Sequence, residues 1–341
     1  MKETAAGPFA APEDDPILAD LNPAQRDAVL HHEGPLLVVA GAGSGKTRVL
    51  THRIAHLINA HGVSPFEILA ITFTNKAADE MNGRVAALVG PVAAKMWVST
   101  FHSACVRILR RDGSKLGYPS SFTIYDQADA VRLVRYVVRD LHLDPKRFPE
   151  RSVHATISAA KNDGVVAAAY TERASQIFER KIGDVYREYQ ARLHKAGAMD
   201  FDDLLLVTVE LFRQHSDVLD HYRRRFRHVL VDEYQDTNKV QNDLVVLLAS
   251  DHRNVCVVGD SDQCVPPGTL VSTPAGAVPI ERIRVGDVVL GAGGHAGRVT
   301  YAHSAPFDGH LITLRAGGRT LRTTAEHRIP CAPIHIACAN P

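Results

Sequence analysis

Along the first 263 residues, short apolar runs alternate with amphipathic stretches. LLVVA (36–40), ILAITF (68–73), MWVSTF (96–101), HVLVDE (228–233) and VCVVGD (255–260) read as strands. Near-continuous apolar runs of this length suit a parallel sheet covered on both faces. Between the first two, Val49, Leu50, Ile54, Leu57 and Ile58 share one face of a helix from Lys46 to about Ala60, and Gly62 is placed to cap it. The pattern predicts a doubly wound α/β domain. From about 111 to 197 the strand runs disappear. Val131, Val134, Val138 and Leu141 keep helical spacing, as do Phe178, Ile182, Val185, Tyr189 and Leu193 before Gly197. This stretch is expected to be an all-helical subdomain inserted into the sheet domain, whose two parts are 19–110 and 198–263. At Cys264 the pattern changes to short strands with frequent turns: TLVST, AVPIERI, DVVLG, RVTYAHSA and HLITLR. A separate all-β segment, 264–341, is expected there.

Composition adds limits. Apolar residues make up 45% and charged residues 23%, an ordinary balance for a water-soluble chain. A formal net charge of +1 argues against bulk attraction to nucleic acid, so any such contact must be local. The residues from Cys264 onward contain no lysine but hold ten of the 24 glycines, which reinforces the boundary. Cys105, Cys256, Cys264, Cys331 and Cys338 form no CxxC pair, as expected in a reducing compartment. Residues 1–18, rich in Ala, Pro and acidic side chains, read as a loose tail without a signal peptide. No apolar run approaches the ~20 residues that span a bilayer. A cytoplasmic protein with no membrane partner is the expectation.

AGAGSGKT, from Ala40 to Thr47, lies between a predicted strand and a predicted helix, the context a phosphate-binding loop requires. Gly41, Gly43 and Gly45 let the backbone through Ala42 and Ser44 turn its N–H groups toward an anion, and the helix N-terminus adds partial positive charge. Lys46 is expected to reach the β- and γ-phosphates and the Thr47 hydroxyl to ligate Mg²⁺. The loop opens with Ala40 where the usual pattern has Gly. Asp232 and Glu233 follow an apolar strand run. Asp232 is placed to hold Mg²⁺ through water, and Glu233 to orient and deprotonate an attacking water. Together the two motifs imply nucleoside triphosphate hydrolysis.

The surrounding strings resemble the UvrD/Rep/PcrA group of superfamily 1 DNA helicases over residues 21–263. LNPAQRDAV (21–29) is similar to that family's glutamine motif, which implies that Gln25 binds adenine; Arg48 resembles the residue packing near the base. ITFTNKAADEM (71–81) and STFHS (99–103) resemble motifs that touch single-stranded DNA. They offer Phe73 as a stacking face with Asn75, Thr100 and His102 as polar partners. MDFDDLL (199–205) looks like the return from the inserted subdomain. VVGDSDQ (257–263) looks like the element coupling γ-phosphate to DNA, with Gln263 as sensor. The resemblance implies a RecA-like P-loop domain, ATP and Mg²⁺ as cofactors, and 3′-to-5′ translocation along single-stranded DNA.

After Gln263 the family continues with Ser-Ile-Tyr, whereas this chain reads CVPPGTLVSTPAGAVPIERIRVGDVVLG. That string is similar to the opening of an intein, and TTAEHRIP resembles its second splicing block, with Thr324 and His327 in a T-x-x-H core. A partial Hint (hedgehog/intein) domain is therefore expected. The Cys264 thiolate would attack the Gln263 carbonyl, His327 would protonate the departing amide, and Thr324 would hold that peptide. No later splicing block follows, and Asn340 before Pro341 lacks an adjacent His. Three readings stay open: a helicase precursor fragment with little activity of its own, a trans-splicing half completed by a C-terminal intein–helicase chain, and an inactive ATP-binding remnant.

Overall fold

The computed structural model describes residues 15–40, 43–259, 270–274, 276–284, 287–290, 296–298, 311–316 and 319–324. Two compact units are distinguished. One is built on residues up to Val38 and 45–259, the other on 39–44 and the residues from 260 onward.

In the first unit the chain runs through α1 (Pro23–Leu30), β1 (Leu36–Val39), α2 (Lys46–Asn59), β2 (Ile68–Thr72), α3 (Asn75–Val89), β3 (Trp97–Thr100) and α4 (Phe101–Asp112). It continues through β4 (Thr123–Tyr125), α5 (Gln127–Asp140), α6 (Glu150–Asn162), α7 (Ala167–Arg173), α8 (Ile177–Lys195) and β5 (Ala198–Asp200). It returns through α9 (Phe201–Gln214), α10 (Ser216–Arg225), β6 (His228–Val231), α11 (Lys239–Ala249) and β7 (Val255–Gly259). The five strands expected from the apolar runs form one sheet in the order β1-β7-β6-β2-β3, with parallel registers from β7 to β3.

Alternation along these strands divides the core in two. Leu69, Ile71, Val229, Val231 and Val257 face one cluster with residues of α4, α9, α10 and α11. Ile68, Ala70, Leu230, Cys256 and Val258 face the other, with Leu50 and Ile54 of α2 and Met81 and Val85 of α3. This is the doubly wound α/β arrangement that the sequence implied. Strand β1 departs from the expectation of burial on both faces. Leu37 and Val39, on one face of this edge strand, are 56% and 55% exposed.

The insert has a core of its own: Val134, Val137 and Val138 of α5, Ile157 of α6, and Ile182, Val185, Tyr186, Tyr189 and Leu193 of α8. Full burial of an aliphatic side chain such as Ile182, Val185 or Leu193 stabilises by about 1.5–3 kcal/mol relative to exposure. The insert is not all-helical as expected. β4 pairs in parallel with β5 where the chain leaves and re-enters the sheet domain, closing the neck. The loose tail expected through residue 18 is corrected at its end only; residues 1–14 lie outside the described residues. Ile17 and Leu18 are buried with Leu21, Val29 and Val49, and the Ile17 carbonyl lies 2.6 Å from His52 Nδ1.

In the second unit the described residues form three antiparallel pairs. They are β8 (Leu270–Thr273) with β9 (Gly276–Pro279), β10 (Val288–Leu290) with β11 (Ala296–Arg298), and β12 (Leu311–Ala316) with β13 (Arg319–Thr324). Strands β8, β9, β10 and β12 fall within the expected runs TLVST, AVPIERI, DVVLG and HLITLR or beside them, β13 was not expected, and RVTYAHSA lies outside the described residues but for Arg298. No described helix is long and apolar enough to cross a membrane.

Candidate functional site

The carboxyl ends of parallel strands are where open α/β sheets bind ligands, and Thr47, Phe73, Thr100, Asp232 and Glu233 stand at or beside those ends. Gly45 precedes α2 in the left-handed region at φ +85°, a conformation that glycine adopts without steric cost. A Cβ on Gly45 would stand 2.8 Å from Gln25 Nε2, so the glutamine side chain lies against this turn. Gln25 also closes a capping box on α1: its Oε1 accepts from the Asn22 backbone at 3.1 Å and its own N–H donates to Asn22 Oδ1 at 2.9 Å. Gly43 is left-handed as well, at φ +74°. Lys46, the first residue of α2, is buried. Arg48 pairs with Asp20 at the surface, 3.5 Å away. Ala40 and Ser44 are described; Gly41 and Ala42 lie outside the described residues.

Thr47 Oγ1 donates to Asp232 Oδ2 at 3.1 Å, joining the start of α2 to the end of β6 across 185 positions of sequence. The Asp232 N–H donates to the Ile71 carbonyl at 3.0 Å, which carries the β6–β2 pairing on to the carboxyl end of the sheet. Burial, then the adjacent Glu233 charge, pushes the Asp232 carboxyl above its ordinary range; the Thr47 hydroxyl and Lys46 act the other way. A divalent cation beside the carboxylate would offset both influences, and a hydroxyl and a carboxylate together with substrate phosphates form a donor set that suits Mg²⁺. Glu233 leaves the strand at φ +48°, and its Oε2 accepts from Gln235 Nε2 at 2.7 Å. These residues fit a Mg²⁺-bound triphosphate: a glycine turn, a lysine at a helix N-terminus, a hydroxyl and two carboxylates.

Two of the four candidate DNA contacts, Phe73 and Thr100, stand at the ends of β2 and β3, and the other two, Asn75 and His102, lie in the first turns of the helices that follow. Phe73 follows β2 and packs edge-on against Phe101, with ring centroids 5.7 Å apart. It therefore serves the core on one side at least. Asn75 is exposed at the start of α3. Thr100 caps α4: its hydroxyl accepts from Ser103 N–H at 3.2 Å and donates to Ser103 Oγ at 2.9 Å. His102 lies edge-on to Phe201 at 5.8 Å, and burial lowers its pKa while Asp202 opposes that shift.

Sequence reasoning passed over several polar and aromatic residues at this edge. Phe201, a large aromatic 53% exposed beside His102, was read only as part of the return segment. Gln235, two residues beyond Glu233, could have been singled out by proximity. Asn162 and Asn238 gave no signal. Gln263, Cys264 and His327 lie outside the described residues, and Thr324 is described only as the last residue of β13, opposite Leu311.

A parallel sheet with a glycine turn, helix-start lysine and strand-end carboxylates is the architecture of a P-loop motor domain. Residues 21–265 match the UvrD/REP helicase N-terminal domain, and the chain belongs to that family. It is similar to the ATP-dependent DNA helicase PcrA of Bacillus subtilis (strain 168), 50% identical over 249 residues, which are 73% of this chain and 34% of the relative. PcrA of Staphylococcus aureus (strain NCTC 8325 / PS 47) is 49% identical and that of Staphylococcus epidermidis (strain ATCC 35984) 48%, over the same shares. The chain thus spans about a third of the length of the curated relatives it matches.

Proposed function

We propose that residues 19–263 form the ATP-binding front half of a DNA helicase motor that couples ATP hydrolysis to 3′-to-5′ movement on single-stranded DNA. The observation that carries this reading is the Thr47–Asp232 contact at 3.1 Å. It brings a hydroxyl from the loop motif and a carboxylate from the acidic motif to one point beside Lys46. In that arrangement the loop N–H groups and Lys46 bind the phosphates, Thr47 and Asp232 hold Mg²⁺, and Gln25 and Arg48 bind the base. Bound Mg²⁺ supplies charge neutralisation on the phosphates. Glu233, oriented by Gln235, accepts a proton from the attacking water. Single-stranded DNA runs along the strand ends past Phe73, Asn75, Thr100 and His102.

Calorimetric titration of ATP tests the site. Binding is expected to require Mg²⁺ and to disappear in Lys46→Ala while the thermal unfolding temperature holds. Equal affinity in Lys46→Ala contradicts the assignment.

The segment from Cys264 is proposed as the N-terminal splicing part of an intein, with Cys264, Thr324 and His327 in the roles given above. The support is the sequence likeness together with the paired short strands of the second unit. The helicase would then be assembled after splicing, in cis from a longer precursor or in trans with a C-terminal intein–helicase chain.

A further inference from the structure

The insert meets the sheet domain at a polar joint that the nucleotide site does not use. Lys161, at the end of α6, is fully buried and donates to Asp200 Oδ2 and Asp203 Oδ1, each at 2.7 Å. Tyr189 donates to the same Asp200 oxygen at 2.7 Å, and Gln190 to Asp203 at 3.0 Å. The paired and hydrogen-bonded ions fix the end of α6 against the start of α9.

The next residue, Asn162, uses both ends of its amide across that joint. Its Nδ2 donates to Asp202 Oδ1 at 3.0 Å and to the Ser158 carbonyl at 2.8 Å, and its Oδ1 accepts from Asn238 Nδ2. Ser158 is on α6 itself, whereas Asp202 and Asn238 belong to other elements.

Each partner leads to a different ligand face. Asp202 follows Phe201, which packs against His102, and its charge acts on that imidazole. Asn238 is the N-cap of α11, with its Oδ1 accepting from Gln241 N–H at 2.8 Å. It ends the short turn that begins at Glu233. Within that turn Asp236 N–H donates to the Glu233 carbonyl at 3.0 Å and Thr237 Oγ1 to the Tyr234 carbonyl at 2.7 Å. The turn has little freedom to move at one end alone. The Asn162 amide thus touches both Asp202 at the start of α9 and the end of the Glu233 turn, beside the direct packing of α9 on α11.

We propose that Asn162 is a positioning residue that couples occupancy of the His102–Phe201 face by single-stranded DNA to the turn carrying Glu233. This rests on the assignment of the ATP and DNA faces above. Contiguity alone does not establish coupling; a thermodynamic cycle does.

The experiment measures the dissociation constant of Mg·ATP for the full 341-residue chain, with and without a saturating oligothymidylate. It compares the unsubstituted chain with Asn162→Ala, Asp202→Ala and the double variant. In the unsubstituted chain DNA is expected to change ATP affinity at least ~5-fold, the lower end of ordinary coupling between sites. In Asn162→Ala the change falls below twofold, while DNA-free ATP affinity and the unfolding temperature hold. Asp202→Ala, which removes the acceptor of the Asn162 amide, loses coupling likewise, and the double variant loses no more than either single one. Asp202→Ala carries the test if Asn162→Ala does not fold. A purely structural Asn162 would move unfolding temperature and DNA-free affinity together and leave the ratio intact, which overturns the proposal. So does an unsubstituted chain that binds both ligands without linkage. Failure to bind ATP at all instead removes the site reading on which the proposal stands.

Discussion

Glu233 enters its turn at φ +48°, a conformation disfavoured for a residue with a Cβ, and Gln235 grips its carboxylate. Backbone strain at a carboxylate beside a metal-suited site is consistent with pre-organisation, since such conformations persist only where the surroundings impose them. The apolar run before Asp232 made the motif legible in sequence; the left-handed backbone and the Gln235 contact were not, because both depend on where the turn is anchored. The same strand opens on His228, whose pKa is lowered to about 4, chiefly by burial and then by Arg53. An ordinary imidazole in the unfolded chain titrates near ~6.5, so the unfolded state binds the proton more readily. His228 is therefore expected to lower stability as pH falls from ~6.5 toward 4, with no further loss from this group below that. Urea unfolding at a series of pH values should show that slope, and His228→Gln should flatten it. An unchanged slope in the variant would assign the pH dependence elsewhere.

At the level of elements, the sheet strands were readable because each carries a run of apolar residues, and α2 because its apolar face recurs at helical spacing. Strands β4 and β5 were missed: three residues cannot display an alternation, and they pair only because the insert closes its own neck. The exposure of Leu37 and Val39 was equally hidden, since a strand's place in the sheet order is set by tertiary contacts and not by its composition. Thr100 was legible as a polar strand end, but its hydroxyl is occupied in capping α4. The Lys161–Asp200–Asp203 joint connects residues about forty positions apart, and neither lysine nor aspartate announces burial in a sequence. Burial and the Asp200 charge push the Asp203 carboxyl upward, against Lys161. Removing the cation leaves two buried carboxylates without their partner. Lys161→Ala is expected to cost about 3–5 kcal/mol in chemical denaturation, as for other broken buried ion pairs. A loss below ~1 kcal/mol would mean the joint is not held by its charges.

Across the whole molecule, the family match ends at residue 265, just past the proposed junction between Gln263 and Cys264. If Cys264 heads an intein, adding a strong thiol to the purified chain should cleave it after Gln263, and mass spectrometry should find the 263-residue fragment. Cys264→Ala should abolish the product. No cleavage under any thiol condition counts against splicing chemistry and leaves the motor reading untouched. The motor reading itself turns on one point, where Thr47 Oγ1 now donates to Asp232 Oδ2 at 3.1 Å. A crystal structure of the chain with Mg²⁺ and a non-hydrolysable ATP analogue tests it most directly. The expected result is an ion between Thr47 and Asp232 in place of their hydrogen bond, with the terminal phosphates against Lys46 and the first N–H groups of α2. An analogue bound elsewhere, with the Thr47–Asp232 hydrogen bond intact and no ion between them, would contradict the assignment.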